Sequence, residues 1–236
     1  MENDIIDWIR EYVKSSGAKG AVVGNSGGKD SATVIALLTK ALGSENVIAV
    51  EMPCNSKSED IEDGKIVADT FGVKNIIVDM TKMYKDLNEA VEETNITISE
   101  EANINVKPRL RMTILYAIAQ THNYLVAGTG TACEIFVGYT TKWGDSASDF
   151  NPLANLTVEE VKQVGLALGV PEKIINKAPN DGLSSLSDEE KLGVSYLQIS
   201  EYMKTGKTDQ EAMDKIKKLH KKTSHKRDPI PTFIKP

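Results

Sequence analysis

The sequence predicts an α/β fold, a doubly wound and mostly parallel five-stranded sheet with helices on both faces. Short runs rich in β-branched residues alternate with stretches of helical period, and each short run is almost entirely apolar. Strands of that kind are covered on both faces, which is usual in a parallel sheet. With 236 residues, 40% of them hydrophobic, the chain is expected to form one domain over residues 1–236 with a substantial core.

The predicted elements of the first half alternate between the two types. Apolar residues at Val34, Leu37, Leu38 and Ala41 repeat with the period of a helix. Strands are expected at residues 20–24, 46–52, 75–79 and 124–130. Helices are expected at 31–42, 58–73 and 81–93, and a longer one begins near Pro108, a residue favoured in the first helical turn, and runs to 121.

The second half is predicted to be mainly helical. Three capping boxes, in which Ser or Thr precedes Glu by three residues, indicate helix starts. They lie at Thr157 with Glu160, Ser187 with Glu190, and Thr208 with Glu211. Residues 177–188, rich in Gly, Ser and Pro, are expected to form a mobile loop.

Composition and charge exclude several classes of protein. No apolar run approaches the roughly 18 residues of a membrane span, and the acidic, amphipathic N-terminus is unlike a signal peptide. Two distant cysteines, Cys54 and Cys133, are expected to be reduced thiols of a cytoplasmic protein. The net charge of −6 gives no general attraction to nucleic acid. Residues 215–227 hold seven Lys or Arg and no acid, which indicates either a solvated helix face or a phosphate-binding patch.

Residues 22–32, VVGNSGGKDSA, are the strongest candidate for a functional motif. An apolar strand enters a glycine-rich turn that opens a helix, an arrangement that commonly binds phosphate. The motif is not a Walker A loop, because Val23 stands where a glycine is required and Asp30 where Ser or Thr is required. It is not the dinucleotide fingerprint either, since Ser26 replaces the second glycine.

Asp30 is the unexpected member of this loop, because a carboxylate repels a bare phosphate. A divalent cation explains it, since Mg²⁺ commonly combines one or two carboxylates with phosphate oxygens and water. The hydroxyls of Ser26 and Ser31 and the backbone of the glycines between them would contact the anion. A second glycine-bearing strand end, at residues 128–134, is expected to open onto the same crevice. The loop therefore predicts a magnesium-assisted pyrophosphate site.

The string SGGKDS resembles the loop of the N-type ATP pyrophosphatases, which cleave ATP between the α and β phosphates and have an adenine nucleotide alpha hydrolase-like fold. Four further segments narrow this resemblance. They are KPRLRM (107–112), GTGTACEIFVGYTTKWGD (128–145), KAPNDGLSSLSDEEKLG (177–193) and TSHKRDPIP (223–231). Together, over nearly the whole chain, they resemble the ammonia-dependent NAD synthetases.

This resemblance implies a ligase that makes NAD from deamido-NAD, ATP and ammonia in two steps. The nicotinate carboxylate attacks the α-phosphorus of ATP to give an NAD-adenylate and pyrophosphate, and ammonia then displaces AMP. The resemblance also implies Mg²⁺ as cofactor and a homodimer. No glutaminase domain is expected within the chain, so the nitrogen would come from free ammonia or from another protein.

The resemblance also implies roles for individual residues. ATP would be bound by Gly24, Asn25, Ser26, Gly27, Gly28, Lys29, Asp30, Ser31, Thr129, Val158 and Asn180. Mg²⁺ would be held by Asp30 and Glu134. Deamido-NAD would be bound by Arg109, Lys142, Asp149, His225 and Lys226, and cations suit a substrate that carries a carboxylate and a pyrophosphate. Asp30, Lys142 and Asp149 would take part in catalysis, Asp149 as a candidate base for ammonium.

Several positions depart from the family's usual pattern. Gly130-Thr131, Ser146-Ala147 and Asn180 replace residues that are common at those places, and Val158 replaces a lysine that contacts ATP. Loss of that cation is expected to weaken ATP binding by about 1.5–3 kcal/mol. Lys162, one helical turn further on, and Lys29 in the loop would compensate.

Two other functions stay compatible with the sequence. The departures would suit a catalytically impaired relative that acts as a nucleotide-binding module. The second alternative is another adenylating enzyme with the same loop. The negative net charge and the lack of a C-x-x-C pair argue against a tRNA-thiolating enzyme.

Overall fold

The sheet at the centre of the molecule is parallel throughout, as the sequence predicts. The computed structural model describes residues 1–54, 58–177 and 187–235. Its strands are β1 (Ala21–Gly24), β2 (Val47–Glu51), β3 (Lys74–Ile77) and β4 (Leu125–Ala127), in the order β3-β2-β1-β4. Ala21 of β1 pairs with both Val47 and Leu125. The chain thus winds outward from β1 to β3 and returns on the other side to β4, so β1 and β4 flank the topological switch point.

The predicted number of five strands is wrong for the described part of the chain, whose sheet has four. Beyond β4, the described residues make a single isolated bridge, between Ala127 and Phe150. The Val126 N–H donates to the Asp149 carboxylate at 2.7 Å instead of to a backbone carbonyl. Pro152 follows with no N–H to donate, so pairing does not continue.

Helices cover both faces of the sheet. The described residues contain α1 (Glu2–Ser16), α2 (Lys29–Leu42), α3 (Ser58–Phe71), α4 (Thr81–Glu92), α5 (Glu100–His122), α6 (Ala132–Val137), α7 (Val158–Ala167), α8 (Glu172–Ile175), α9 (Asp188–Leu192), α10 (Tyr196–Thr205) and α11 (Gln210–Lys222). Short 3₁₀ turns lie at Ser44–Asn46 and Ser224–Lys226.

Three apolar clusters hold these layers together. One face of the sheet, with Ala21, Val23 and Ala49, packs against α1, α2, α3, α7 and α8. The opposite face, with Val22 and Ile48, packs against α4 and α5. A third cluster joins α6 to the helices that follow residue 187. Side chains at alternate strand positions therefore point to opposite faces of the sheet, and helices cover both faces, which confirms the doubly wound arrangement.

Two predicted helix starts are wrong. The long helix begins at Glu100, and Pro108 lies inside it. Ser99 caps that helix by accepting from the Ala102 N–H at 3.3 Å, a start signal that outweighs the proline. The last helix is capped by Asp209, which accepts from the Ala212 N–H at 2.9 Å, so the Thr208 capping box does not form.

The capping boxes at Thr157–Glu160 and Ser187–Glu190 are confirmed. Most of the predicted loop at 177–188 lies outside the described residues. None of the helices in the described ranges is long and apolar enough to cross a membrane.

Candidate active site

The glycine-rich turn occupies the carboxyl end of β1 and leads directly into α2. Gly27 has φ of 69°, and a Cβ there would lie 2.6 Å from the Asp60 carbonyl oxygen and 2.9 Å from Cβ of Asp63. The turn therefore needs glycine for its backbone conformation and for its close approach to α3. Asn25, which is buried, donates from its side-chain amide to the Gly64 carbonyl at 2.8 Å. The part of α3 that contains Asp60, Asp63 and Gly64 therefore supports the loop.

Two hydroxyls fix the inner curve of the same loop. Ser26 Oγ and Ser31 Oγ lie 3.1 Å apart, and Ser31 donates to the Gly28 carbonyl at 3.0 Å. The Gly28 N–H donates to Ser26 Oγ at 3.3 Å. Because α2 begins at Lys29, its positive N-terminal end faces the loop. The arrangement is suited to an anion, as the sequence predicts.

The end of β4 opens at the same edge of the sheet, because β1 and β4 are neighbouring parallel strands. Gly128 follows β4, and a Cβ there would lie 2.6 Å from Ser148 Oγ. Thr129 comes next and is partly exposed at this edge. The backbone carbonyl of Gly130 accepts from the Asn151 side-chain amide at 2.9 Å. This position, one of the departures from the family's pattern, is therefore held by a hydrogen bond.

Glu134 is held in place by a capping box. It is the third residue of α6, and its Oε2 accepts from the N–H and the hydroxyl of Thr131 at 2.7 and 2.8 Å. Thr131, a second departure from the family's pattern, therefore positions the predicted metal ligand. The T-A-C-E pattern at residues 131–134 is a helix-start signal from which α6 was predictable.

Asp30 and Glu134, which the resemblance implies as ligands of one Mg²⁺ ion, influence each other electrostatically. Burial and the charge of Asp30 raise the pKa of Glu134 to about 7, although the two bonds from Thr131 oppose this rise. Oδ1 of Asp30 is buried and has no hydrogen-bond partner within the described residues. Oδ2 of Asp30 lies 2.9 Å from Nζ of Lys29.

This pair of carboxylates fits a divalent cation. An orphaned buried oxygen and two mutually repelling acids are the features that a bound cation would compensate. The described ranges contain no group of three or more His, Cys, Asp or Glu that could hold a metal. The protein would therefore supply two carboxylates and leave other positions to phosphate and water, which is the usual coordination of Mg²⁺.

A cavity of about 560 Å³ lies between α5, the segment after α6, α9 and the end of α11. Four of the five residues predicted to bind deamido-NAD line it, namely Arg109, Lys142, His225 and Lys226. Lys191, Lys222 and Glu101 line it as well. The structure thus brings these distant basic residues together in one cationic cavity, and their role in binding deamido-NAD stays a prediction.

The basic groups of this cavity also hold the segment 138–142 in place. Nζ of Lys226 donates to the carbonyls of Gly138 and Thr140 at 2.8 and 2.5 Å. Nζ of Lys142 donates to the His225 carbonyl at 2.6 Å. Burial lowers the pKa of Lys226, against the charge of nearby acids. The C-terminal H-K-R segment is therefore packed against the rest of the cavity and is not a detached tail.

Asp149 does not line this cavity. Its Oδ1 accepts from the Tyr116 hydroxyl at 3.2 Å, and its Oδ2 accepts from the Val126 N–H. The structure gives this carboxylate a place at the edge of the sheet, and its role as a base stays a prediction. Ser146, another departure, donates to the Thr141 carbonyl at 2.9 Å and closes the turn around Trp143, whose φ is 60°.

Two other predicted ATP contacts have different outcomes. Val158 is buried in the apolar cluster with Cys133 and Val137, so its side chain provides no polar contact. Asn180 lies outside the described residues. Lys162 is half-buried on α7, and its role as a compensating cation stays a prediction.

The sequence reasoning missed an ion-pair cluster behind the loop. Asp63 is fully buried and lies 2.7 Å from Nζ of Lys177 and 2.8 Å from Nζ of Lys173. Lys177 also lies 2.8 Å from Asp60. The cluster fixes the end of α8 to the part of α3 that supports Gly27.

A second missed feature lies beyond Glu134. Asp188, at the start of α9, accepts from the hydroxyls of Tyr139 and Tyr196 at 3.2 and 3.4 Å. Burial raises the pKa of the Tyr196 hydroxyl, and the Glu134 charge raises it further. The T-A-C-E and S-Y-L-Q capping signals place α6 and α10, but no local pattern indicates this contact.

Comparison with known proteins agrees with this geometry. The family model described as NAD synthase matches residues 1–230. The NH(3)-dependent NAD(+) synthetase of Carboxydothermus hydrogenoformans is 42% identical over 94% of this chain and 92% of its own. That of Methanocaldococcus jannaschii is 40% identical over 98% and 95%.

Solved structures show the same likeness. NMN synthetase from Francisella tularensis superposes with a TM-score of 0.92 at 31% identity, over 98% of this chain and 96% of its own. NH3-dependent NAD synthetase from Campylobacter jejuni superposes with a TM-score of 0.80 at 28% identity, over 99% and 97%. The chain therefore belongs to the NAD synthase family.

Proposed function

We propose that the chain catalyses the ATP- and Mg²⁺-dependent amidation of deamido-NAD by ammonia, with NAD, AMP and pyrophosphate as products. The observation that carries the proposal is the pair Asp30 and Glu134 beside the glycine-rich loop. A pair of carboxylates beside a phosphate-binding loop suits metal-assisted departure of pyrophosphate. It differs from a Walker-type loop, which has Ser or Thr at the position of Asp30. The cationic cavity supplies the complementary site for an anionic dinucleotide.

The residues of the loop would hold the triphosphate of ATP. The N-terminus of α2 and the hydroxyls of Ser26 and Ser31 would face the β and γ phosphates, and Thr129 would contact ATP from the end of β4. Mg²⁺, held by Asp30 and Glu134, would neutralise charge on the phosphates as pyrophosphate departs. The rest of the chain's contribution is positioning and charge stabilisation, as in other nucleotidyl transfers.

The cationic cavity would hold the second substrate. Arg109, Lys142, His225 and Lys226 balance the carboxylate and the pyrophosphate of deamido-NAD. The nicotinate carboxylate attacks the α-phosphorus of ATP and forms an acyl-adenylate. Ammonia then attacks the acyl carbon, and AMP leaves. Ammonium must first lose a proton, and Asp149 is our candidate base.

Product analysis tests this function directly. Protein, ATP, Mg²⁺, ammonium and deamido-NAD are incubated, and the nucleotides are separated by chromatography. We expect NAD and AMP in equal amounts. ADP as product would contradict the proposal, and ATP binding without turnover would favour the impaired nucleotide-binding relative.

A second candidate is amidation at the mononucleotide level, giving NMN. The specific observation in its favour is the TM-score of 0.92 to an enzyme named NMN synthetase, against 0.80 to an NAD synthetase of similar coverage. The same acyl chemistry would act on nicotinate mononucleotide, whose terminal phosphate also suits a cationic cavity. Comparison of kcat/KM for the two acids decides between them, and a ratio of about 100 either way assigns the substrate.

We further propose a homodimer that works in the cytoplasm as a single domain, without nucleic acid or membrane. The helices α4 and α5 carry apolar side chains that are only partly buried, among them Met83, Leu87 and Ile114. Such a surface suits a second copy of the chain. Light scattering coupled to size-exclusion chromatography tests it, and a monomeric mass at micromolar concentration would refute it.

A further inference from the structure

Lys29 occupies an unusual place for a cation in this loop. It is the first residue of α2, only 6% of its surface is exposed, and its Nζ lies 2.9 Å from Oδ2 of Asp30. A buried ammonium is costly unless an opposite charge accompanies it. The contact with Asp30 is therefore a built pair and not a chance surface contact.

The charges around this pair do not cancel. When Glu134 is ionised, Asp30 and Glu134 bring two negative charges to the site, and Lys29 brings one positive charge. The charges of Asp30 and Lys29 act on Glu134 in opposite directions. Oδ1 of Asp30 stays without a hydrogen-bond partner among the described residues. The ammonium thus compensates half of the carboxylate charge and occupies one of the oxygens that a metal would use.

A divalent cation that arrives alone meets this partly neutralised site. Its attraction is reduced by the positive charge of Lys29, which is strong at a few ångströms in a poorly hydrated place. Nucleotide phosphates change the balance, because they add several negative charges at the loop and supply further oxygen ligands. Metal and nucleotide should therefore bind together.

We propose that Lys29 is a resident counter-cation for Asp30 and Glu134, which suppresses the binding of Mg²⁺ alone and makes metal binding depend on the phosphates of the nucleotide. The inference rests on the proposed function in one respect, since it takes Asp30 and Glu134 as the metal site. It adds a role for Lys29 that is separate from direct contact with ATP, namely control of metal binding through its charge.

Titration of the metal-free protein with Mn²⁺, followed by electron paramagnetic resonance without nucleotide, tests the proposal. We expect Lys29→Gln to bind Mn²⁺ at least about tenfold more tightly than the wild type, because the competing charge is gone. Lys40→Gln, an exposed lysine at the other end of α2, is the matched control and should equal the wild type. A Lys29→Gln affinity within about twofold of the wild type overturns the proposal.

A non-hydrolysable ATP analogue provides the second arm. With the analogue present, wild-type affinity for Mn²⁺ should rise by at least about tenfold, and the advantage of Lys29→Gln should shrink to below about threefold. Equal wild-type affinity with and without the analogue overturns the proposal, even if Lys29→Gln fails to fold. Lys29→Arg keeps the charge and should bind Mn²⁺ alone as weakly as the wild type. Neither measurement depends on formation of the amide product. Failure of the proposal on Lys29 can therefore be distinguished from failure of the proposed amidation.

Discussion

Two acidic clusters lie beside the glycine-rich loop, and they differ in how their charge is compensated. Behind the loop, Asp63 has one ammonium within 2.8 Å of each of its oxygens. In front of it, Asp30 has one ammonium among the described residues, at Oδ2. Oδ1 lacks a hydrogen-bond partner there in both aspartates, so the clusters differ in the number of nearby ammonium groups. We call these the rear cluster (Asp60, Asp63, Lys173, Lys177) and the front cluster (Lys29, Asp30, Glu134).

The pKa shifts have opposite directions in the two clusters. Burial alone would raise the pKa of Asp63, but the bonds and charges of Lys173 and Lys177 outweigh it and hold that pKa below its ordinary value. In the front cluster, burial and Asp30 raise the pKa of Glu134. A buried charge with an opposite charge at each oxygen is costly to unpair and so supports the fold, whereas charge left under-compensated is available for a ligand. The comparison therefore assigns the rear cluster to structure and the front cluster to function.

The largest effect should come from breaking the front cluster. Asp30→Asn removes a proposed metal ligand, and we expect amidation to fall by about 10³-fold, the scale of losing a major electrostatic contribution to a transition state. Far-UV circular dichroism should stay unchanged, because the hydrogen bonds of the loop do not use the carboxylate, although loss of the partner of Lys29 should lower the free energy of unfolding. Asp69→Asn, on the exposed side of α3, is the control and should keep full activity. Loss of the fold in Asp30→Asn would reverse the assignment of the two clusters.

Breaking the rear cluster should instead cost stability. Asp63→Asn leaves two ammonium groups without their buried partner, and we expect the free energy of unfolding in urea to fall by about 2 kcal/mol. Asp60→Asn should cost less than about 1 kcal/mol, because Asp60 is substantially exposed and its pair is screened. If Asp63→Asn is as stable as the wild type and only loses activity, the rear cluster is functional after all.

The sequence predicted the front cluster and not the rear one, for a physical reason. Asp30 and Glu134 follow strand ends that parallel pairing brings to one edge of the sheet, and their motifs resemble a known family. Asp63 and Lys177 are 114 residues apart, and each lies in an unremarkable helical context. A long-range ion pair leaves no periodic or local pattern, so only the packing of α3 against α8 shows it. The predicted number of strands was wrong for a similar reason. The Asp149 carboxylate accepts from the Val126 N–H in place of a backbone carbonyl, and this contact also leaves no local pattern.

The two clusters meet at Gly27, and its substitution should affect both. Gly27→Ala would place a Cβ 2.6 Å from a backbone carbonyl at a φ of 69°, and neither can yield easily. We expect a loss of about 1–2 kcal/mol in unfolding free energy together with a higher KM for ATP. Gly28→Ala is the matched control: its φ is −94° and the nearest atom to a Cβ is the Ser26 hydroxyl at 3.3 Å. Because Gly28 is the N-cap of α2, where Ala is disfavoured, this substitution should cost about 0.5 kcal/mol. Equal effects of the two substitutions would show that α3 does not support the loop.

The smallest expected effect is a dependence of stability on pH, and it tests the difference between the two clusters. Because the pKa of Asp63 is lowered in the folded state, its contribution to stability is present above its ordinary pKa near 4 and is lost as the pH falls through the lower folded value. The stability gap between wild type and Asp63→Asn, measured by urea unfolding, should therefore be constant from about pH 5 to 6 and narrow by about 1 kcal/mol towards pH 3. Asp60→Asn provides the control, and its smaller gap should change less. A gap that widens on acidification would mean that the lysines do not compensate Asp63, and the contrast between the clusters would then be lost.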